Sequence, residues 1–442
     1  MARLNSAPRV HRKFTHEGGP AVAHLKPIDQ LRRSVLSCLL WEREFYEDGV
    51  AIAERIVETA LKCDQAAVAN LAIEARKVMN LRHVPLLLLS TLAKTDEGKL
   101  HLAFAIERVV SRADELGELL SVYWRNGRLP VPRQMRLGLA RAFTKFDEYQ
   151  LAKYDRDDGV KLRDVLRIVR PKPGSAEQTK LWKRAVKREL KTPDTWEVAL
   201  SGGADKKETF TRLINEGNLG YLALLRNLRN MVNAGVDIKL IKKAIVARKN
   251  GAQHVWPFRY TAAARVVPQL EPALDEALCE AIAEMPSLDG KTVVLIDVSD
   301  SMNMKMSAKS DLSRMDAAAT LGSIVMADHL QLFTFSEAIV EVPPRRGMAG
   351  VEAIIRSQPH HSTRLGLAMA ALNENVKYDR LIVITDEQTS DWVVQPTGKH
   401  NYLINVASNQ NGVGYGGKWI HIDGFSEAVL RYIHESEANE RD

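Results

Sequence analysis

Cysteine is nearly missing from this chain: three of 442 residues, Cys38, Cys63 and Cys279, lie far apart and form no C-x-x-C pair. That spacing excludes a zinc finger or a disulfide framework. It suits small apolar side chains in a reducing compartment. Long hydrophobic runs are also lacking. The most apolar stretch, Val84 to Leu92, is about half the ~20 residues needed to cross a bilayer. The first residues carry no basic-then-apolar signal segment. These absences predict a soluble, cytoplasmic protein with no membrane partner.

What is present is length, core and charge. A chain of 442 residues, 45% hydrophobic and 26% charged, is long enough for two or three domains with ample interior. The net charge of +7 hides a division. Residues 291–442 hold 14 Lys and Arg against 19 Asp and Glu, whereas the first 290 hold 48 against 36. Within the basic part, residues 121–191 alone carry 19 basic and 8 acidic side chains. An excess so concentrated points to a polyanionic partner for that region.

From about Ile28 to Glu284 the hydrophobic pattern is helical, with short connections rich in turn residues such as Asn80 and Gly127. More than ten short helices in succession, with no strand pattern between them, predict helix pairs stacked as a solenoid. The competing architecture is a compact, non-repeating bundle. At Pro286–Gly290 the pattern changes to apolar strands alternating with helices: Thr292–Ile296, Leu330–Phe335, Leu381–Thr385, Tyr402–Val406 and Trp419–His421. This predicts a mostly parallel, doubly covered sheet and a boundary between domains 1–286 and 287–442.

In open α/β sheets functional atoms gather beyond the carboxyl ends of the strands. The first strand ends in Asp297-x-Ser299-x-Ser301, a later one in Thr385, Asp386 and Glu387, and Thr363 precedes a helix between them. Hydroxyl and carboxylate oxygens are hard ligands suited to Mg²⁺ or Mn²⁺. The alternative is that the hydroxyls only cap helices. A phosphoryl-accepting Asp297 would need a second carboxylate at position 299, where serine stands. A metal-dependent nuclease would need a base near Asp297, for which Asp300, Glu387, His360 and His361 are the candidates. The glycine-rich loop 411–417 leads into a strand rather than a helix, so it is not read as a phosphate cradle.

In the basic stretch, Arg163, Arg167 and Arg170 are spaced to share a helix face. The segment Lys180–Lys191 keeps Leu181, Ala185 and Leu190 for packing and turns Lys180, Lys183, Arg184, Lys187, Arg188 and Lys191 outward. Lys172 lies between the two segments. Upstream, Lys145, Lys153, Arg156 and Lys161 are interleaved with Phe146, Tyr149 and Tyr154. Cations that follow phosphates, with planar groups that stack on bases, suit single-stranded nucleic acid. RNA is favoured over DNA because no helix-turn-helix or zinc module is evident.

Two resemblances rest on these residues. Asp297, Ser299, Ser301, Thr363 and Asp386, in that order, resemble the metal-ion-dependent adhesion site of von Willebrand factor A-type domains. The departure is Asp300, where that family usually has glycine. The stretches Phe146–Tyr154 and Lys161–Pro173 resemble the TROVE module of the Ro autoantigen family, in its bacterial form. Asn80–Pro85, Leu224–Asn230 and Tyr402–Ala407 agree with it. The resemblance implies an all-α, HEAT-like ring of helical repeats plus a doubly wound A-type domain. It also implies a non-catalytic, monomeric scaffold for RNA quality control or processing. Small Y-like RNA would bind the basic outer surface and single-stranded ends of misfolded RNA the central hole, with an exoribonuclease as a protein partner. Lys145 matches an RNA-contacting position, and Arg170 stands where many members have a histidine that binds Y RNA. The alternative function is an adaptor whose metal site binds an acidic protein partner.

Overall fold

The computed structural model describes residues 27–35, 49–77, 79, 81–155, 159–306, 312–407, 413 and 417–423, with a few positions from 429 to 437. Cys38, Asn80, Arg156 and most of the 411–417 loop lie outside the described residues. Contacts divide the chain into a helical unit and a sheet unit, with the change between Glu284 and Met285. The described residues Val429, Leu430 and Ile433 group with the helical unit, although the sequence pattern carries the sheet domain on to residue 442.

In the helical unit, each helix packs on the next but one. Gly49–Ala60 lies on His83–Leu92, which lies on Asp114–Tyr123; Gln65–Lys77 lies on Asp96–Val109, which lies on Arg133–Phe143. Further along, Tyr221–Arg226 packs on Ile238–Val246, and that helix on Glu271–Ala283. This two-layer stacking is the solenoid form, in which each pair buries its apolar faces only against its neighbours. The apolar Val84–Leu92 stretch is buried at every position, making its helix the centre of the stack rather than an amphipathic layer. Close approach is set by Gly138, where an added Cβ would stand 2.8 Å from Ile106 Cβ and 2.9 Å from the Ala103 carbonyl. Residues 221–233 form not one helix but two, Tyr221–Arg226 and Leu228–Asn233, meeting at buried Asn227. The Asn227 amide donates to the Ala223 carbonyl at 2.9 Å.

The sheet unit holds β1 Leu288–Asp297, β2 Ala327–Phe335, β3 Ile339–Val342, β4 Arg380–Thr385, β5 His400–Asn405 and β6 Ile420–Asp423. Their order is β3-β2-β1-β4-β5-β6, parallel except for β3, which pairs antiparallel with β2. Every residue of β4 is buried, as a strand covered on both faces requires. The chain runs outward from β1 to β2 on one side and returns to β4 on the other. The loops leaving β1 and β4 therefore diverge, opening the crevice in which such sheets bind ligands.

Gly138→Val should force the Asp96–Val109 and Arg133–Phe143 helices apart and destabilise the chain by about 1–3 kcal/mol. Thermal unfolding reads this; an unchanged midpoint would show that the two helices are not held at this distance.

Candidate RNA interface and metal-type site

Nine of the residues assigned to RNA from sequence fall into three groups, and Arg163 and Arg170 stand apart. Arg167, Lys172, Lys180, Lys183 and Lys187 are exposed. Lys153 and Arg188 line a concavity of about 1380 Å³ within the helical unit. Two are used inside the fold. Lys145 Nζ donates to the carbonyls of Glu107 and Val110, the latter at 2.9 Å, so its charge closes the C-terminus of the Asp96–Val109 helix. Burial of the ammonium pulls its pKa down. Arg184 donates twice to the Glu148 carboxylate, at 2.6 and 2.8 Å, and pins the Glu148–Tyr154 helix.

The basic helices also differ from the expected faces. Arg163 and Arg167 lie on the Leu162–Val169 helix, but Arg170 is its C-cap in left-handed backbone, φ 47°. The next helix runs Ala176–Lys187, ends at left-handed Arg188, and does not reach Lys191. Its buried residues are Trp182 and Ala185, with Leu181 and Leu190 only half-buried. Trp182 meets Phe143 edge-on at 5.6 Å between ring centroids. Arg163 is half-buried, with its Nε 3.9 Å from Asp164.

Sequence reasoning missed much of the concavity. Arg82, Arg112 and Arg226 join Lys153, Arg188 and Lys191, the three named from sequence, on its lining, with Tyr154, Trp196, Asn227 and Asn230. Arg112 stacks on Tyr154, 4.6 Å from the ring centroid, and Lys153 Nζ lies 5.7 and 5.8 Å from the Tyr149 and Tyr154 rings. Asp114 accepts from both Arg82 and Arg112, at 2.7 and 2.8 Å. These arginines are thereby held in place. Their support is Glu115, buried to 1% exposure, which binds Arg76 at 2.6 Å and accepts the backbone N–H groups of Ser111 and Arg112. The Leu224–Asn230 motif contains Arg226, Asn227 and Asn230, and its polar residues were the signal available.

In the sheet unit the five residues predicted to hold a metal converge at the carboxyl ends of β1 and β4. Asp297, Ser299, Thr363 and Asp386 are fully buried, and Ser301 is half-buried. Thr363 Oγ1 donates to Ser299 Oγ at 2.9 Å, and Ser299 Oγ lies 3.3 Å from Ser301 Oγ. Asp297 accepts from Ser299 N at 2.9 Å and from Thr385 Oγ1 at 2.6 Å. Asp386 accepts from Gln388 N at 3.1 Å. Burial, together with the neighbouring Asp386 carboxylate, pushes Asp297 up to about 8, and burial likewise raises Asp386. Two buried carboxylates among converging hydroxyls fit a hard divalent cation, which would stabilise both as anions.

Loop contacts hold these residues in register. His360 Nδ1 lies 2.7 Å from the Val298 carbonyl, Asp300 N donates to the His361 carbonyl, and Ser390 N and Oγ both donate to the Thr363 carbonyl. The two histidines thus serve loop geometry. Asp300, in the usual glycine place, is exposed and accepts from Asn303.

A stack of paired helices and a parallel sheet ending in this oxygen-rich site define a helical-repeat protein with an A-type domain. The model for the TROVE domain matches residues 42–189 and 182–285, and that for the Ro60 vWA domain matches residues 291–400. The chain belongs to the TROVE family, and RNA binding is the function common to that family. The crystal structure of the Ro (RSR) protein of Deinococcus radiodurans is similar in fold, with TM-score 0.66 and 19% identity, covering 93% of this chain and 100% of that one. The telomerase protein component 1 of Mus musculus is 30% identical over 106 residues, 23% of this chain and 4% of that protein.

Asp297 also sets a pH dependence for the metal-free chain. Its folded-state pKa lies above the ordinary value of 3.8. Between about pH 4 and 8 the folded state therefore holds a proton that the unfolded state releases, and stability falls as pH rises. Calorimetric unfolding in chelator should show this fall, and Asp297→Asn should flatten it. A wild-type midpoint that rises across the same window would contradict the assignment.

Proposed function

We propose that this chain is a non-catalytic RNA scaffold that takes two kinds of RNA on its helical unit. The concavity, with six cations beside Tyr154 and Trp196, carries the reading. Cations track a phosphate backbone while rings stack on bases of any sequence, which is how single strands are held. The exposed set on and after the Leu162–Val169 helix suits a structured small RNA such as a Y-like RNA, held through its phosphates. Misfolded RNA offering a single-stranded end would be the substrate of the concavity.

The test separates the two surfaces by filter binding over a salt series. Changing Arg163, Arg167 and Arg170 together to Ala should weaken a structured small RNA while sparing a short single strand. Changing Lys153 and Arg226 to Ala should do the reverse. Each phosphate-binding cation removed should reduce the salt slope by about 1. Equal weakening of both RNAs in both variants would remove the division of roles.

We also propose that the sheet unit binds Mg²⁺, with Mn²⁺ as the alternative, through Asp297, Ser299, Ser301, Thr363 and Asp386. A bound ion would supply a positive charge able to accept an anionic ligand. A second reading, in which this face docks a protein, is favoured by Trp392, 65% exposed, and Leu367, 45% exposed. The two sit together: Asp391 accepts from the backbone of Gly366 and Leu367, and a Cβ on Gly366 would stand 2.1 Å from the Trp392 carbonyl. A processing exoribonuclease is one such partner. Because Asp297 must lose its proton to ligate, Mg²⁺ binding at neutral pH should release protons, and release should vanish well above pH 8. Titration calorimetry in buffers of different ionisation enthalpy measures this; proton-neutral binding at pH 7 would place the ion elsewhere.

A further inference from the structure

Arg314 has no part in the ligand set above, yet among the described residues it is the largest fully buried side chain. It is the first residue of the Arg314–Ser323 helix, fixed by a capping box in which Ser313 and Asp316 exchange hydrogen bonds. Its backbone N–H donates to the Met304 carbonyl at 2.8 Å, in the loop that begins with Ser299 and Ser301. Its guanidinium Nη1 lies 3.6 Å from Asp386 Oδ2, with both side chains fully buried. One residue thus touches the β1 loop through its backbone and the β4 loop through its charge.

We propose that the Arg314 guanidinium is a resident cation of the metal-type site, holding Asp386 and the two loops in place without a divalent ion and weakening the binding of one. This rests on the reading that the site takes Mg²⁺. Asp297 and Asp386 as anions contribute two negative charges, and the hydroxyls of Ser299, Ser301 and Thr363 contribute none. Glu387, next in the chain, faces His421, whose Nδ1 is 3.1 Å from its carboxylate. Asp300 is exposed to water. With Arg314 counted, two ionised carboxylates and a divalent ion leave the loaded site singly positive. That remaining charge, out of water, draws an anionic ligand to the loaded site.

A buried carboxylate left without its cationic partner is strongly disfavoured. Removing the guanidinium should therefore make the site depend on the ion. In RNA-stripped full-length protein, Arg314→Met should unfold at a lower temperature than wild type in chelator and recover most of the difference in Mg²⁺. It should also bind Mg²⁺ more tightly by on the order of tenfold or more, while Arg314→Lys stays near wild type. If Arg314→Met folds only with the ion, a refolding titration against Mg²⁺ reads the same dependence and supports the proposal. Failure to fold at any Mg²⁺ concentration overturns it. Wild-type binding that Asp297→Ala abolishes, with equal or weaker affinity in Arg314→Met, overturns the role of Arg314 and leaves the metal site standing. No Mg²⁺ binding by wild type or Arg314→Met overturns both.

Discussion

A charge taken out of water must be answered inside the fold, and two such answers organise this molecule. In the helical unit the buried Glu115 carboxylate is met by Arg76 and by backbone N–H groups at the turn after Val109. That contact links the end of the Gln65–Lys77 helix to the start of the Asp114–Tyr123 helix. It leaves Asp114, on the neighbouring position, to hold Arg82 and Arg112 at the lip of the concavity. In the sheet unit Asp386 is met by Arg314. In both units a structural ion pair sits directly behind the polar surface proposed to meet a ligand. Loss of one partner is costly in such places, because the other remains buried and charged.

The two units distribute their polar atoms differently through backbone geometry. Stacked helix pairs present a concave lining whose charge is spread over several elements, which suits an extended polymer. The parallel sheet instead concentrates its polar atoms at one point, where the loops after β1 and β4 part. Serine and threonine there are held by each other, and the Thr363 carbonyl accepts from Ser390 Oγ, which fixes oxygen atoms without adding charge.

Much of this was legible in the sequence because it depends on local periodicity. The succession of short helices lies within the span of helical periodicity, and five of the six strands stand where continuous apolar runs lie. The short edge strand Ile339–Val342 was not legible, since half-buried residues on a hairpin lack both a run and a clear alternation. The metal-type residues were readable because their order along the chain follows the strand ends that bring them together. The basic surface of the helical unit was readable only in part. A count of cations cannot tell Lys183, which is exposed, from Arg184, which is spent on Glu148. Nor can it collect Arg82, Arg112 and Arg226, which are far apart in sequence and meet only through the stacking of the helices.

Arg170 and Arg188 each end a basic helix in left-handed backbone, at φ 47° and 63°. Helices commonly finish there on glycine, and a residue with a Cβ is strained by about 1–2 kcal/mol. At both positions stability alone would select glycine, while charge selects what is present. The chain therefore carries built-in slack: two sites where a single change would make a sturdier protein and remove a cation from its most basic region. Attempts to harden this scaffold by repairing unfavourable backbone would erode its charge first at these two helix ends.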